Sequence, residues 1–287
     1  MDHQLRPYRS VLYIPASKQR ALEKARGLAT DAIIFDLEDA VAPAEKDAAR
    51  GLLGQMLADT DYGTRLRIVR INALDTDWGP KDVAALTTSG ATDAVLLPKV
   101  NGVADIEALA TMLPQMPIWA MMETAQGILN AGDIAAHPRL GGMVMGTNDL
   151  AKELNCRPRP DRMPLLTALQ TCLLAARSQG VIVVDGVYNA YKDAEGLRRE
   201  CLQGRDMGFD GKTLIHPAQL QVANKIFAPD EQEVDLAKRQ IAAHEAAEKA
   251  GQGVAVLDGR IVENLHVETA RRTLERAAAI RALEESL

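Results

Sequence analysis

Eight short apolar runs succeed one another along this chain: SVLYIP (10–15), AIIFD (32–36), LRIVRI (66–71), DAVLLP (93–98), PIWAMM (117–122), GMVMG (142–146), VIVVD (181–185) and KTLIH (212–216). Turn residues bound them, and most read as near-continuous apolar segments, the pattern of strands buried on both faces. The stretches between them carry helical spacing, as in Leu22, Ala25 and Ala29, in Ile106, Leu109 and Leu113, and in Leu166, Leu169 and Leu173. Eight such strands with helical crossovers predict an α/β fold, a (β/α)8 TIM barrel. A doubly wound two-domain protein is the rival. It finds no Pro/Gly/Ser-rich linker dividing the chain and no G-x-G-x-x-G after the first run. A chain of 287 residues, 47% of them hydrophobic, can fill a core of that size.

The barrel accounts for residues 1–228. In 229–287, PDEQEVDLAKRQIAAHEAAEKAG predicts a helix from Asp230 to Gly251, followed by the extended segment GVAVLDGRIVEN and a last helix with Val267, Ala270, Leu274 and Ala277 on one face. This C-terminal helical extension is a candidate lid, over its own barrel mouth or a neighbouring subunit's.

Charge and composition exclude several classes. A net charge of -6, with Lys and Arg scattered, gives no electrostatic footprint for nucleic acid or an anionic membrane. No apolar stretch is long enough to span a bilayer and the start, MDHQLRPYRS, lacks the apolar core of a signal peptide, so a cytoplasmic protein is expected. Cys156, Cys172 and Cys201 have no Cys-x-x-Cys spacing, which argues against a disulfide framework and a thiolate zinc site.

Barrel active sites form at the C-terminal ends of the strands, and there the runs end in polar residues: Asp36, Glu38 and Asp39; Arg70 and Asn72; Lys99; Glu123; Asn148 and Asp149; Asp185; His216. Carboxylates converging on one mouth need a counter-charge. With no His or Cys at metal spacing, an all-oxygen site for Mg2+, or Mn2+, is the simplest match. Glu123 and Asp149 are the expected direct ligands, with Asp36 and Asp39 one layer out, holding metal waters; capping or Arg pairing is the alternative for these acids. Arg70 is expected to grip a substrate carboxylate in bidentate fashion, the alternative being a salt bridge to Glu38 or Asp39. Metal and Arg in one mouth imply a 2-oxo or 2-hydroxy acid.

The segments RSVLYIPASKQRALEKA, DAIIFDLEDAV, RIVRIN, LLPKV, METAQG, MGTNDLAKEL, DGVYNAYKDAEGL, GFDGKTLIHPAQL and GVAVLDGRIVENLH together resemble the citrate lyase beta subunit and malyl-CoA lyase group of the HpcH/HpaI aldolases. The resemblance implies a TIM barrel with Mg2+ on Glu123 and Asp149, Arg70 on the oxo or hydroxy acid, and a CoA thioester as the other substrate moiety. It also implies phosphate contacts from Lys18 and Lys24, with Arg9 and Arg20 as further candidates, and a homo-oligomer, trimer or hexamer.

One position departs from the group. Its lyases end the tail segment in Met-Ile-Asp or Met-Val-Asp, whose Asp reaches a neighbouring subunit's site; here RIVENLH puts Glu263 in that place. The added methylene moves the carboxylate, and a misplacement of about 1 Å can cost about 100-fold. The chain resembles, within this group, the branch that keeps the lyase site and hydrolyses (3S)-malyl-CoA to malate and CoA. That reading makes Glu263 the residue that activates water, with Arg70 and Asp36 as its catalytic partners and Glu123 also touching substrate. The alternatives are carbon-carbon cleavage of malyl-CoA, beta-methylmalyl-CoA or citryl-CoA, and a partner-dependent or non-catalytic beta-like subunit. No G-x-S-x-G supports a serine hydrolase.

Overall fold

A computed structural model describes residues 6–89 and 91–286. Eight parallel strands, β1 (Ser10–Pro15), β2 (Ala32–Asp36), β3 (Leu66–Arg70), β4 (Ala94–Leu97), β5 (Ile118–Met122), β6 (Leu140–Met145), β7 (Ile182–Asp185) and β8 (Gly211–Leu214), close into a barrel in chain order, β8 pairing with β1. Helices follow the strands, so the fold is the (β/α)8 barrel that the apolar runs predict. One reading is corrected: the first helix covers Gln19–Ala25, and Ala29 lies exposed beyond it, in the loop before β2.

Strand side chains alternate between two cores, which is why both faces had to be apolar. Val11, Ile34, Ile68, Leu96, Trp119 and Val184 belong to the inner cluster; Leu12, Ile33, Phe35, Val69, Val95 and Val183 belong to the layer that also holds the helices' apolar faces. Trp119 fills the inner core because its neighbour across the β5–β6 ladder is Gly142, where a Cβ would stand 2.4 Å from the indole. The register sets the site: Asp36 lies opposite Arg70 at the ends of β2 and β3, and Met122 opposite Met145 at the ends of β5 and β6. Cys172 and Cys201 are buried in the outer layer, and burial pushes both thiols up to about 12, which leaves them unreactive.

The chain divides into two compact units, Tyr8–Phe227 and Ala228–Ser286, the latter with Arg6 and Pro7. In the second, a helix over Glu231–Lys249 starts at a capping box in which Asp230 accepts from the Glu233 N–H and Glu233 accepts from the Asp230 N–H, both at 2.8 Å. Strands β9 (Ala255–Leu257) and β10 (Arg260–Val262) form a hairpin through Asp258 and Gly259, both left-handed (φ 49° and 75°), as a two-residue Asp-Gly turn requires. The last helix, Asn264–Glu285, buries Val267 and Ala270, and its apolar stripe continues to Ile280 and Leu283. Ala247, Ala255, Val262 and Val267 make this unit's own small core. Among the described residues no helix is long and apolar enough to cross a membrane.

Candidate active site at the barrel mouth

Asp36 ends β2 and immediately folds the loop after it, accepting from the backbone N–H groups of Glu38 (2.9 Å) and Ala40 (3.1 Å). Its outer lone pairs take both arms of the Arg70 fork, Nε at 2.7 Å and Nη2 at 2.6 Å. The remaining Arg70 nitrogen, Nη1, lies 2.7 Å from Glu38 and 3.4 Å from Asp39, and the guanidinium stands 5.0 Å from the centre of the Tyr13 ring. From below, the Lys46 ammonium donates to the carbonyls of Leu37 and Glu38 and to Asn72 Oδ1, which fixes the DLED loop. Asp36 therefore has four donors for its four lone-pair sites. In this arrangement it holds and orients Arg70; catalysis and a place beside metal waters, the roles expected of it, would require it to release one of these donors.

Glu38 is almost as enclosed. Burial pushes its carboxyl from 4.5 to about 7, against the pull of Arg70 and with the help of Asp39 and Glu123. A carboxyl raised in the folded state stabilises below its unfolded value, about 4.5 here, and that contribution is lost as pH rises through about 7. Glu38→Gln, which keeps the shape without the charge, should therefore melt above the parent at pH 8, by up to roughly 3 kcal/mol. The gap should close near pH 4.5; paired thermal melts at the two pH values measure it, and a constant gap would refute it.

On the other side of the mouth Glu123 follows β5, 2% exposed, with Oε1 accepting from the Lys99 backbone N–H at 2.8 Å. Burial raises its pKa, opposed by the charge and hydrogen bonds of Lys99 and by Arg70. Its place requires Gly146: a Cβ there would stand 2.3 Å from the Glu123 Cβ and 2.7 Å from Oε2. Asp149, in the first turn of the helix Thr147–Glu153, faces the same point. The Lys99 ammonium sits between them, in contact with Asp149 Oδ2 and 3.4 Å from Glu123 Oε1. Two carboxylates thus already converge on a positive charge, with no thiol or imidazole among the residues that line their cavity, and this donor set fits a hard cation. Among the described residues no group of three His, Cys, Asp or Glu converges, so such a cation would draw its other ligands from water or substrate oxygens.

Asp36, Asp39, Arg70, Glu123 and Asp149, five residues from four strand ends, line one cavity of about 380 Å³, with Tyr13, Met121, Met145 and Ile215 as its apolar wall. A second cleft of about 510 Å³ adjoins it, sharing Asn148 and Asn189, whose amides bond each other at 2.7 and 3.3 Å. Other expected residues lie elsewhere. Arg9 precedes β1, at the opposite end of the barrel, 2% exposed and clamped on Asp31 by Nε at 3.0 Å and Nη2 at 2.9 Å. It cannot meet a phosphate at the mouth, a correction whose cause is simply that Arg9 lies before its strand and not after it. Lys18, Arg20 and Lys24 are exposed on the loop and helix that follow β1. Asp185 faces away from the mouth, fully buried against Arg162 (2.7 Å) and Lys212 (3.1 Å). His216 stacks on Tyr191 and accepts from the Ala218 N–H. Glu263 is exposed in the second unit, at the start of the last helix, its N–H donating to His266 Nδ1.

Residues 9–217 match the family model described as HpcH/HpaI aldolase/citrate lyase. The chain belongs to that family. Within the HpcH/HpaI family it is 65% identical, over 286 residues and 100% of both chains, to a (3S)-malyl-CoA thioesterase of Cereibacter sphaeroides. It is 35% identical to the citrate lyase subunit beta of Escherichia coli K12, covering 95% of this chain and 94% of that one. Among solved structures of the family, it superposes with a TM-score of 0.80 on CitE from Mycobacterium tuberculosis, in complex with magnesium, acetoacetate and coenzyme A; identity is 32%, covering 96% of this chain and 99% of that chain.

Lys99, Tyr13, Gly146 and Lys46 are site residues that the sequence reading did not single out for their roles. Lys99 had a signal, a lone cation closing an apolar run before a loop. Gly146, directly after such a run, had a weaker one.

Proposed function

We propose that this protein is a Mg2+-dependent thioesterase that hydrolyses (3S)-malyl-CoA to malate and CoA. The observation that carries the reading is the convergence of Glu123, Asp149 and Arg70 in one cavity of about 380 Å³. That combination suits an acid with a carboxylate beside a hydroxyl or keto oxygen. The end-to-end likeness to a thioesterase of that name supports hydrolysis over carbon-carbon cleavage. A magnesium-bound relative supports the cation, which Mn2+ could replace, and the same relative's coenzyme A supports a thioester substrate.

Arg70, kept charged and aligned by Asp36, binds the malyl carboxylate; Glu123 and Asp149 hold the cation and face the hydroxyl end of the substrate. The cation, when bound, supplies Lewis-acid polarisation of substrate oxygens. Lys18 and Lys24 meet the phosphates of CoA. Glu263, from its own or a neighbouring subunit's second unit acting as a lid, takes a proton from the water that attacks the thioester carbonyl; the carbon-sulfur bond breaks, and the thiolate leaves and is protonated to CoA. The protein works as a homo-oligomer, trimer or hexamer, in the cytoplasm.

Purified protein mixed with malyl-CoA and Mg2+ tests this directly. Free thiol with malate is the expected result. Glyoxylate with acetyl-CoA would make it a lyase, as its likeness to citrate lyase subunit beta allows, and no product would point to a missing partner. Chelation with EDTA should abolish turnover, and Mg2+ or Mn2+ should restore it, because an anionic substrate meets several carboxylates at this mouth. Full activity in metal-free protein would remove the cation from the proposal.

A further inference from the structure

Lys99 combines three features that belong together. Its backbone is left-handed (φ 54°), a conformation that a residue with a Cβ seldom adopts and that surrounding structure must enforce. That conformation aims two donors of one residue at the same carboxylate, the backbone N–H at 2.8 Å and the ammonium at 3.4 Å from Glu123 Oε1. The ammonium also contacts Asp149, so it bridges both acids, while 38% of the side chain stays exposed. A long flexible stem with one end in water can let go of its partners, whereas Glu123, 2% exposed and wedged over Gly146, cannot move.

The geometry points to Lys99 as the internal counter-ion of the cation site: its ammonium holds Glu123 and Asp149 together in the metal-free protein, and a divalent cation loads by displacing it. This rests on the assignment of Glu123 and Asp149 as cation ligands. It goes further in making metal loading an exchange, with the backbone N–H of Lys99 keeping Glu123 in place throughout and the side chain acting as the removable half. A single positive charge cannot stay between two carboxylates that also bind a divalent ion, since like charges that close repel strongly.

Mn2+ titration followed by electron paramagnetic resonance tests the exchange without reference to turnover. The parent should bind one Mn2+ per chain and Glu123→Gln should lose it, which establishes the ligand assignment on its own. Lys99→Met keeps a side chain of similar length and the same backbone demand. Losing a charge-assisted contact of about 1.5–3 kcal/mol corresponds to Mn2+ binding roughly 10- to 100-fold tighter. Lys152→Met, which removes an equal charge from the helix that carries Asp149, should change affinity by less than about threefold, separating displacement from a general change in field. Equal or weaker Mn2+ binding by Lys99→Met overturns the exchange while leaving the ligand assignment standing. Loss of binding in neither Glu123→Gln nor its Asp149→Asn counterpart overturns both. In the unmutated protein, Lys99 should be acylated by an amine-directed reagent faster with Mg2+ present than without it, read by peptide mass spectrometry; an unchanged or slower rate would also overturn the exchange.

Discussion

Arg70→Met should destabilise the protein by about 3–5 kcal/mol, the usual consequence of taking one partner from a buried ion pair. Asp36 is 1% exposed, so without the guanidinium a buried negative group is left with only the N–H groups of Glu38 and Ala40 to satisfy it. Arg70→Lys separates structure from recognition. An ammonium at the same place retains the charge and one strong contact, so most of the stability should remain. It cannot reproduce a planar fork that holds Asp36 with two nitrogens and keeps the third, Nη1, beside Glu38 and Asp39, where a ligand carboxylate would have to displace them. A lost charge-assisted bond in the complex is worth about 1.5–3 kcal/mol, so kcat/KM for malyl-CoA should fall by roughly 10- to 100-fold, with KM carrying much of the change. Denaturant melts and steady-state kinetics on the two variants decide it. Should Arg70→Lys hydrolyse malyl-CoA like the parent, Arg70 would be only the structural partner of Asp36, Glu38 and Asp39.

How far the sequence reaches depends on how local the cause is. The barrel is legible because a strand buried on both faces must be apolar throughout, and the runs 10–15 and 32–36 coincide with β1 and β2 to the residue. The tail hairpin is legible because an Asp-Gly pair between short apolar segments makes a two-residue turn. The mouth is legible because polar residues closing apolar runs must emerge at one end of a parallel barrel, which brings Asp36, Arg70, Glu123 and Asp149 to one cavity. The same rule fails for Asp185, whose partners Arg162 and Lys212 lie 23 and 27 residues away and turn it into an interior ion cluster. Nothing in a one-dimensional pattern reports that pairing. The Arg70–Asp36 fork is an intermediate case: both residues close adjacent strands, but which acid takes the fork depends on register, and only the β2–β3 ladder settles it. Left-handed Lys99 is the least legible, since the backbone conformation follows from neighbours that the sequence does not place.

Glu263→Ala should lower malyl-CoA hydrolysis by roughly 10²- to 10⁴-fold, the range for losing a positioned general base, while leaving Mn2+ binding unchanged. Two features of this residue suit it to that role. It is exposed, and its N–H is held by His266 at the start of the last helix, so the carboxylate has a fixed anchor and a free end. It also replaces the shorter Asp expected of a lyase tail. Because the proposed cation ligands, Glu123 and Asp149, belong to the other unit, an unchanged titration would show that the loss is chemical and not a collapse of the site. Glu263→Asp is the sharper variant: if the extra methylene carries the carboxylate from the acyl carbon toward the water, shortening it should raise glyoxylate release relative to free thiol. Hydrolysis by Glu263→Ala at the parent's rate would reduce the tail to a cover. The proton would then have to go to another mouth residue, and Asp39, 67% exposed and 3.4 Å from Arg70, is better placed for it than Asp36, whose lone pairs are already taken.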